Sequence, residues 1–504
     1  MKNAANKSVF FFISFLFITS YSFSQGLNQP NEKEIYSLIN KFSDKDLFVN
    51  GNAINVLVNA GGFAVDYLIK SLSDSNENVR ICSAIALSRI APNGLKAILP
   101  LTDALKDTIA EVRWYSAIAL GRFRKDAEVS VQPLLNLLRD DDRDVRWAAY
   151  VALNKINKSA INKSPDPSKV IGKLENLTPQ LIKELKVPGV SISVINNYKL
   201  LWSQSFGVAD AVQQNKVNNN TIFEACSMSK PVFTYLVLKL ADQGKLDIDK
   251  PLAGYLPEEF VSDNDDYSNL ITARMILTHT GGMPNWRKGG EERGGPIPVY
   301  YKPGTKFNYS GEGMYYLQRV IEQITHQPLE LFAKQNLFDK LGFKSTGFVW
   351  TDALDQQIAT GHDASGNCKQ RSRYKHSDAA YTLLTTSDEY AKFIIEIMKP
   401  DNQDKFSLSK IMISEMLKHQ IRVDVRDVVD RPGRALGLFS FRGLGWGIDS
   451  TITGDIIYHS GSNQSGFRCY SQFNIREGSG IVIMTNGDNG SELWTRLISL
   501  TGDL

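Results

Sequence analysis

Apolar and polar positions follow one rule in the first third of the chain and another in the rest. From 34 to 158 the apolar residues recur at helical spacing in similar blocks: Ser83-Ala84-Ile85-Ala86-Leu87, Ser116-Ala117-Ile118-Ala119-Leu120 and Ala149-Tyr150-Val151-Ala152-Leu153. A valine-arginine pair opens each block, at Val79-Arg80, Val112-Arg113 and Val145-Arg146, a period of 33 residues (112−79 and 145−112). Leu68, Leu101 and Leu134 keep that spacing, as do Asp74, Asp107 and Asp140. A unit this short cannot bury its apolar face alone, so two helices per repeat must stack on the next pair as an α-solenoid. Small Ala and Ser positions let those helices approach closely. Residues 34–66 read as a degenerate capping repeat. The array is either a protein-binding surface or a rigid spacer, and Trp114 and Trp147 are either contact residues or packing between repeats.

Residues 159–168, rich in Asn, Lys, Ser and Pro, read as a linker, and the pattern then changes. Gly189–Val194 alternates apolar and polar, breaks at Asn196-Asn197 and resumes through Leu200-Leu201-Trp202, which predicts an antiparallel hairpin. Ile456–Ser460, Phe467–Phe473 and Gly480–Thr485 predict three further strands, and Ser491–Leu500 a closing helix. A helix-rich middle separates the two groups, so both ends of 169–504 must meet in one sheet. At the N-terminus, Lys2 and Lys7 precede the short apolar run Val9–Ile18, and Ser22-Phe23-Ser24 offers small residues before Gln25. Residues 1–24 therefore read as a signal peptide, its apolar run about half the length a membrane span needs. The expectation is an exported protein, periplasmic or extracellular, with no span after its removal.

Composition narrows the chemistry. Charged residues are 22% of the 504 and the net charge is +3, which gives no broad electrostatic case for nucleic acid. Cys82, Cys226, Cys368 and Cys469 are scattered singly and show no disulfide framework; Cys226 reads as a small buried hydrophobe. The six histidines also stand singly, without zinc spacing, so no metal and no organic cofactor is expected.

The sharpest motif is Ser227-Met228-Ser229-Lys230, at the mouth of an apolar helix whose first turn accommodates Pro231. A hydroxyl and an amine three residues apart share a helix face, so a proton acceptor stands beside a nucleophile without any histidine. Lys306-Phe307-Asn308-Tyr309-Ser310 follows about eighty residues later, and His459-Ser460-Gly461 lies between two strand-like runs. Ser-x-x-Lys, a Tyr motif and a His-x-Gly strand, in that order, resemble the serine β-lactamase and penicillin-binding-protein superfamily. The likeness is to class C β-lactamases and the related esterases and D-peptidases. Gly244–Leu252, Tyr255–Glu258 and Leu277–Pro284 look like that family too, and the resemblance spans roughly 169–504. The repeats upstream resemble HEAT repeats, in which Asp and Arg form a hydrogen-bonded ladder between successive units.

The resemblance implies a multidomain chain: an all-α HEAT-like solenoid, then an α/β domain with an antiparallel sheet, flanking helices and an all-helical layer. It implies Ser227 as nucleophile, Lys230 or Tyr309 as general base, His459 as the residue that orients substrate and tunes Tyr309, and backbone amides of Ser227 and Ser462, beside Gly461, as the oxyanion hole. His279 reads as structural. Asn285–Lys302 reads as a mobile, glycine-rich lip. One position departs from the pattern. The family's Tyr-x-Asn is here Tyr309-Ser310-Gly311, then Glu312, which either stands in for the missing amide or favours the start of the next helix. The expected activity is acyl transfer on a D-peptide, a small ester or a β-lactam. The rival is a HEAT-based binding protein whose second domain senses ligands without turnover.

Overall fold

Three helices of equal length carry the period. Glu77–Ile90, Ala110–Phe123 and Arg143–Ile156 each span 14 residues in the computed structural model. The structure describes residues 30–44, 46–91, 93–138, 140–161, 166–256, 261–262, 267–287, 295–399, 406–423, 439–451 and 454–501. The expected signal peptide lies outside these residues. By internal contacts the chain divides into two units, Met1–Ser130 and Val131–Leu504, so the last repeat is grouped with the larger unit, ahead of the linker read from composition.

In the first unit the shorter helices Gly62–Ser71 and Ile98–Ala104 precede the long ones. Ala84, Ala86, Ala117 and Ala119 are fully buried, which is what lets the long helices sit side by side. One rung of the ladder is present. Arg80 grips Asp107 with two hydrogen bonds, Nε to Oδ2 at 2.8 Å and Nη2 to Oδ1 at 3.1 Å. Burial works against the charge on Asp107, but these bonds and the Ile109 amide outweigh it and hold the carboxyl below its ordinary range. A second contact recurs with the period. Arg80 Nη1 donates to the Asp74 carbonyl at 2.9 Å and Arg113 Nη1 to that of Asp107 at 2.8 Å. In the second unit Arg146 Nη1 donates to the Asp140 carbonyl at 2.7 Å. Of the two tryptophans, Trp114 is partly buried against Tyr115, whereas Trp147 is 49% exposed.

The second unit is organised by a 9-stranded antiparallel sheet. Its strands are β1 (Gly189–Asn196), β2 (Lys199–Asp210), β3 (Asn215–Lys216), β4 (Ile421–Val423), β5 (Phe439–Arg442), β6 (Gly447–Thr451), β7 (Gly454–Ser462), β8 (Arg468–Asn474) and β9 (Ser479–Thr485). They lie in the order β3-β2-β1-β9-β8-β7-β6-β5-β4. The two ends of the domain therefore do meet, β1 pairing with β9 from Val190↔Thr485 to Ile195↔Gly480. Helices Pro167–Glu184 and Gly490–Thr501 cover one face, with Trp494 stacked on Tyr470 at 4.7 Å. The other face packs on a layer of helices.

The alternation in β1 does not mark an open face. Ser191 and Ser193 are buried, bonding to Ser387 at 2.8 Å each, and Ser193 also donates to Asp388 at 2.7 Å. The polar stripe of the strand meets the polar N-terminus of helix Ser387–Met398, so both faces are covered while every hydroxyl is bonded. All four cysteines are free thiols. Among the described residues no helix is long and apolar enough to cross a membrane.

Candidate active site

The turn that bears Ser227 is short and tightly held. Cys226–Met228 forms a 3₁₀ turn that leads into the helix Ser229–Asp242. From Thr221 to Lys230 every residue is buried except Ser227, which is partly open. Lys230, fully buried, donates from Nζ to Ser227 Oγ at 3.0 Å and to the Ala380 carbonyl at 2.8 Å. The Ala380–Leu383 segment fastens the turn twice more. The Ala225 amide donates to the Leu383 carbonyl at 2.8 Å, and the Leu383 amide donates to Ser229 Oγ at 3.0 Å. Tyr390 closes the far side by donating to the Met228 carbonyl at 3.0 Å. Burial pushes the Cys226 thiol well above its ordinary value, so it is a packing group and not a second nucleophile.

Tyr309 comes to this pair from another element. Its ring lies 4.8 Å from Lys230 Nζ and is stacked, tilted by 36°, on His279 at 4.4 Å. His279 sits in a turn at positive φ and accepts the Ser310 amide on Nδ1 at 3.2 Å, which orients the Tyr309 motif. Burial first, then the charges of Arg442, Lys230 and His459, push its pKa well below the ordinary histidine value. It is a neutral, structural ring, as the sequence implied.

Arg442, at the end of β5, was not foreseen. Its guanidinium is buried, 5.2 Å from the Phe307 ring and 6.0 Å from the Tyr309 ring. It adds a fixed positive charge to that of Lys230 on the Tyr309 side of the site. His459 lies on β7, two residues before Gly461 and thus on the same strand face. Its Nδ1 faces the Ser460 carbonyl at 2.7 Å; a carbonyl only accepts, so Nδ1 bears the proton. The ring is wholly buried, and its charge acts on His279.

Gly461 explains how the strand closes on the turn that bears Ser227. A Cβ there would stand 2.2 Å from the Ala225 carbonyl oxygen and 2.9 Å from Cys226 Cβ. Only glycine lets β7 lie against the turn that bears Ser227. Ser462 follows at the exposed strand end. Asn463 donates to Glu224 at 3.0 Å, and Ser465 and Tyr374 do so at 2.7 and 2.8 Å. Burial raises the Glu224 pKa despite these donors. Glu224 therefore ties the strand end to the turn that bears Ser227, a role that the sequence did not signal.

Glu312 is fully buried in the first turn of helix Gly311–Thr325, where it accepts the Arg287 amide at 2.9 Å and pairs with its guanidinium at 3.1 Å. It anchors Arg287. The described end of the expected lip, Asn285–Arg287, is thus fastened; positions 288–294 lie outside the described residues. A separate polar cavity of about 890 Å³, lined by Asp210, Lys216, Asp355 and Arg371 among others, includes none of the groups around Ser227.

A family model described as beta-lactamase matches residues 174–501, and one for HEAT repeats matches 98–167. The chain belongs to the beta-lactamase family. Esterase EstB of Burkholderia gladioli is 26% identical over 208 residues, 36% of this chain and 53% of the esterase. Protein flp of Staphylococcus aureus (strain MW2) is 22% identical over 317 residues, 60% of each chain. The chain thus spans only a little over half the length of these relatives. The solved D-alanine carboxypeptidase AmpC of Burkholderia cenocepacia shares the fold, with a TM-score of 0.53 at 20% identity over 66% of this chain and 99% of that one.

Proposed function

We propose that this protein is a serine hydrolase that cleaves an ester or amide through an acyl-enzyme on Ser227. One observation carries the reading: Ser227 Oγ, partly open in an otherwise buried stretch, is 3.0 Å from the amine of buried Lys230. In the forward step Oγ attacks the acyl carbonyl while its proton passes to Lys230 or Tyr309. The carbonyl electrons move onto oxygen, which the amides of Ser227 and Ser462 receive. Collapse expels the leaving group, which takes a proton by way of Tyr309, and water then releases the acid. Arg442 and Lys230 favour negative charge at the Tyr309 oxygen whenever it gives up its proton.

The matched esterase and the D-alanine carboxypeptidase suggest small esters and D-peptides as substrate classes. Gly311 offers no side-chain amide for the acylamide group of a β-lactam, so simple esters are the favoured class. The basic and apolar leader supports export, and sequencing the mature N-terminus checks cleavage before Gln25. The repeats are proposed to hold a protein partner.

The test is labelling with a fluorophosphonate and mapping by mass spectrometry, alongside turnover of nitrophenyl acetate and nitrocefin. Label on Ser227 with ester turnover above nitrocefin turnover supports the reading. Label without any turnover favours a sensor. No label on Ser227 ends the proposal.

A further inference from the structure

The side chain missing at Gly311 is replaced from outside the motif. A Cβ built there would lie 2.8 Å from Cη2 and 2.9 Å from Cζ3 of Trp286, and 2.9 Å from the Asn285 carbonyl oxygen. Both neighbours of Trp286 are fastened to the start of the Gly311–Thr325 helix. The Gly311 amide donates to the Asn285 carbonyl at 3.1 Å and to its side-chain oxygen at 3.0 Å, and the Glu312 amide adds a third bond at 3.2 Å. On the other flank Arg287 is paired with buried Glu312. An indole held from both sides has little freedom to lose on binding, yet 43% of it is exposed.

Tyr381 meets Trp286 edge-on, with ring centroids 5.4 Å apart at 88°. Tyr381 directly follows Ala380, whose carbonyl holds Lys230. Two paths from Lys230 thus end on the same ring, one through Tyr309 to Gly311 and one through Ala380 to Tyr381. Tyr374 continues the row, 5.5 Å from Tyr381 and bonded to Glu224 beneath Asn463.

We propose that Trp286 and Tyr381 form an aromatic acyl subsite, and that the favoured substrates are esters or amides with an aryl group on the acyl side. The proposal rests on the acyl-transfer reading above and refines its substrate class. Where a side-chain amide would hydrogen-bond an acylamide, this chain presents a rigid π-surface, which binds a phenyl ring edge-on or stacked. A flat apolar group gains from that surface, while an acetyl group is too small to reach across it.

The experiment compares kcat/KM for nitrophenyl phenylacetate and nitrophenyl acetate, each corrected for spontaneous hydrolysis, in wild type, Trp286→Ala and Trp286→Phe. Wild type should prefer the phenylacetyl ester by about tenfold or more, Trp286→Ala should bring the ratio near unity, and Trp286→Phe should keep most of it. An unchanged ratio in a folded Trp286→Ala variant overturns the subsite. Calorimetry of phenylacetamide and acetamide with Ser227→Ala separates binding from turnover. Tighter binding of phenylacetamide, lost on adding Trp286→Ala, supports the subsite even if wild type hydrolyses nothing, a result that would sink only the hydrolase reading. Equal binding of the two amides sinks the subsite even if wild type turns over esters.

Discussion

The repeat region and the beta-lactamase-family region solve opposite problems of assembly. In the repeats each contact is local and recurs: Arg80, Arg113 and Arg146 make the same bond to the carbonyl six residues back. Around Ser227 the contacts that fix the turn to the rest of the fold are unique and distant. Lys230 reaches Ala380, Ala225 reaches Leu383, and Gly461 closes on Ala225. Redundancy makes the first region tolerant of a lost contact, since the neighbouring units remain. The second has no spare copy of anything. Damage of similar chemical size should therefore have very different consequences in the two.

The sharpest contrast comes from the nucleophile. Ser227→Ala should lower ester turnover by a factor on the order of 10⁴ or more with the fold intact, and Lys230→Ala should be nearly as severe. Initial-rate assays check this, and wild-type turnover in Ser227→Ala would break the contrast outright. Gly461→Ala comes next. Its Cβ would meet the Ala225 carbonyl oxygen at 2.2 Å, so strand and nucleophile turn must part. A displacement of about 1 Å costs about 100-fold in rate, and the kcat of this variant measures it.

A deletion of similar chemistry in the repeats should be milder and confined to stability. Asp107→Asn removes the charge that Arg80 grips and should cost about 2 kcal/mol, read as a lower melting transition with ester kcat kept. The pH sign follows from the lowered carboxyl pKa of Asp107. The folded state favours the carboxylate, so this stability is present above the unfolded value of about 3.9 and is lost as pH falls through the folded one. Asp107→Asn should lose that part of the acid sensitivity. If it instead abolishes turnover, the two regions are not independent in function.

The smallest effect belongs to His279. Its folded pKa lies well below the ordinary value, so below about 6.5 the unfolded state binds the extra proton and stability falls as pH falls. His279→Gln should flatten that slope in urea melts below about pH 6.5. A slope unchanged by the substitution would mean that other groups carry it.

Legibility in the sequence divides along the same line. The repeats announced themselves because their contacts recur at a fixed spacing, and a period is visible without coordinates. Ser227, Lys230, Tyr309 and Gly461 were readable because they stand in a recognisable spacing and order, and the structure brings Ser227, Lys230 and Tyr309 close together. What escaped has no local signal. The Ala380 carbonyl is backbone and could belong to any residue. Arg442 looks like any strand-end arginine until the fold buries it over Tyr309. Glu224 looks like a surface acid, although Ser465, Asn463 and Tyr374 reach it from far along the chain. Trp286 is marked only by the absence opposite it, the missing side chain of Gly311.

The Ala380–Leu383 segment holds the nucleophile turn largely through main-chain atoms, two carbonyls and one amide. Main-chain anchors survive a change of side chain, so that segment is free to vary in what it displays while its grip on Lys230 and Ser229 persists. Tyr381 is displayed there. Directed evolution aimed at Tyr381 should thus shift which acyl groups are accepted at little cost in the rate of bond making, and a library at this position should return many active variants with altered preference.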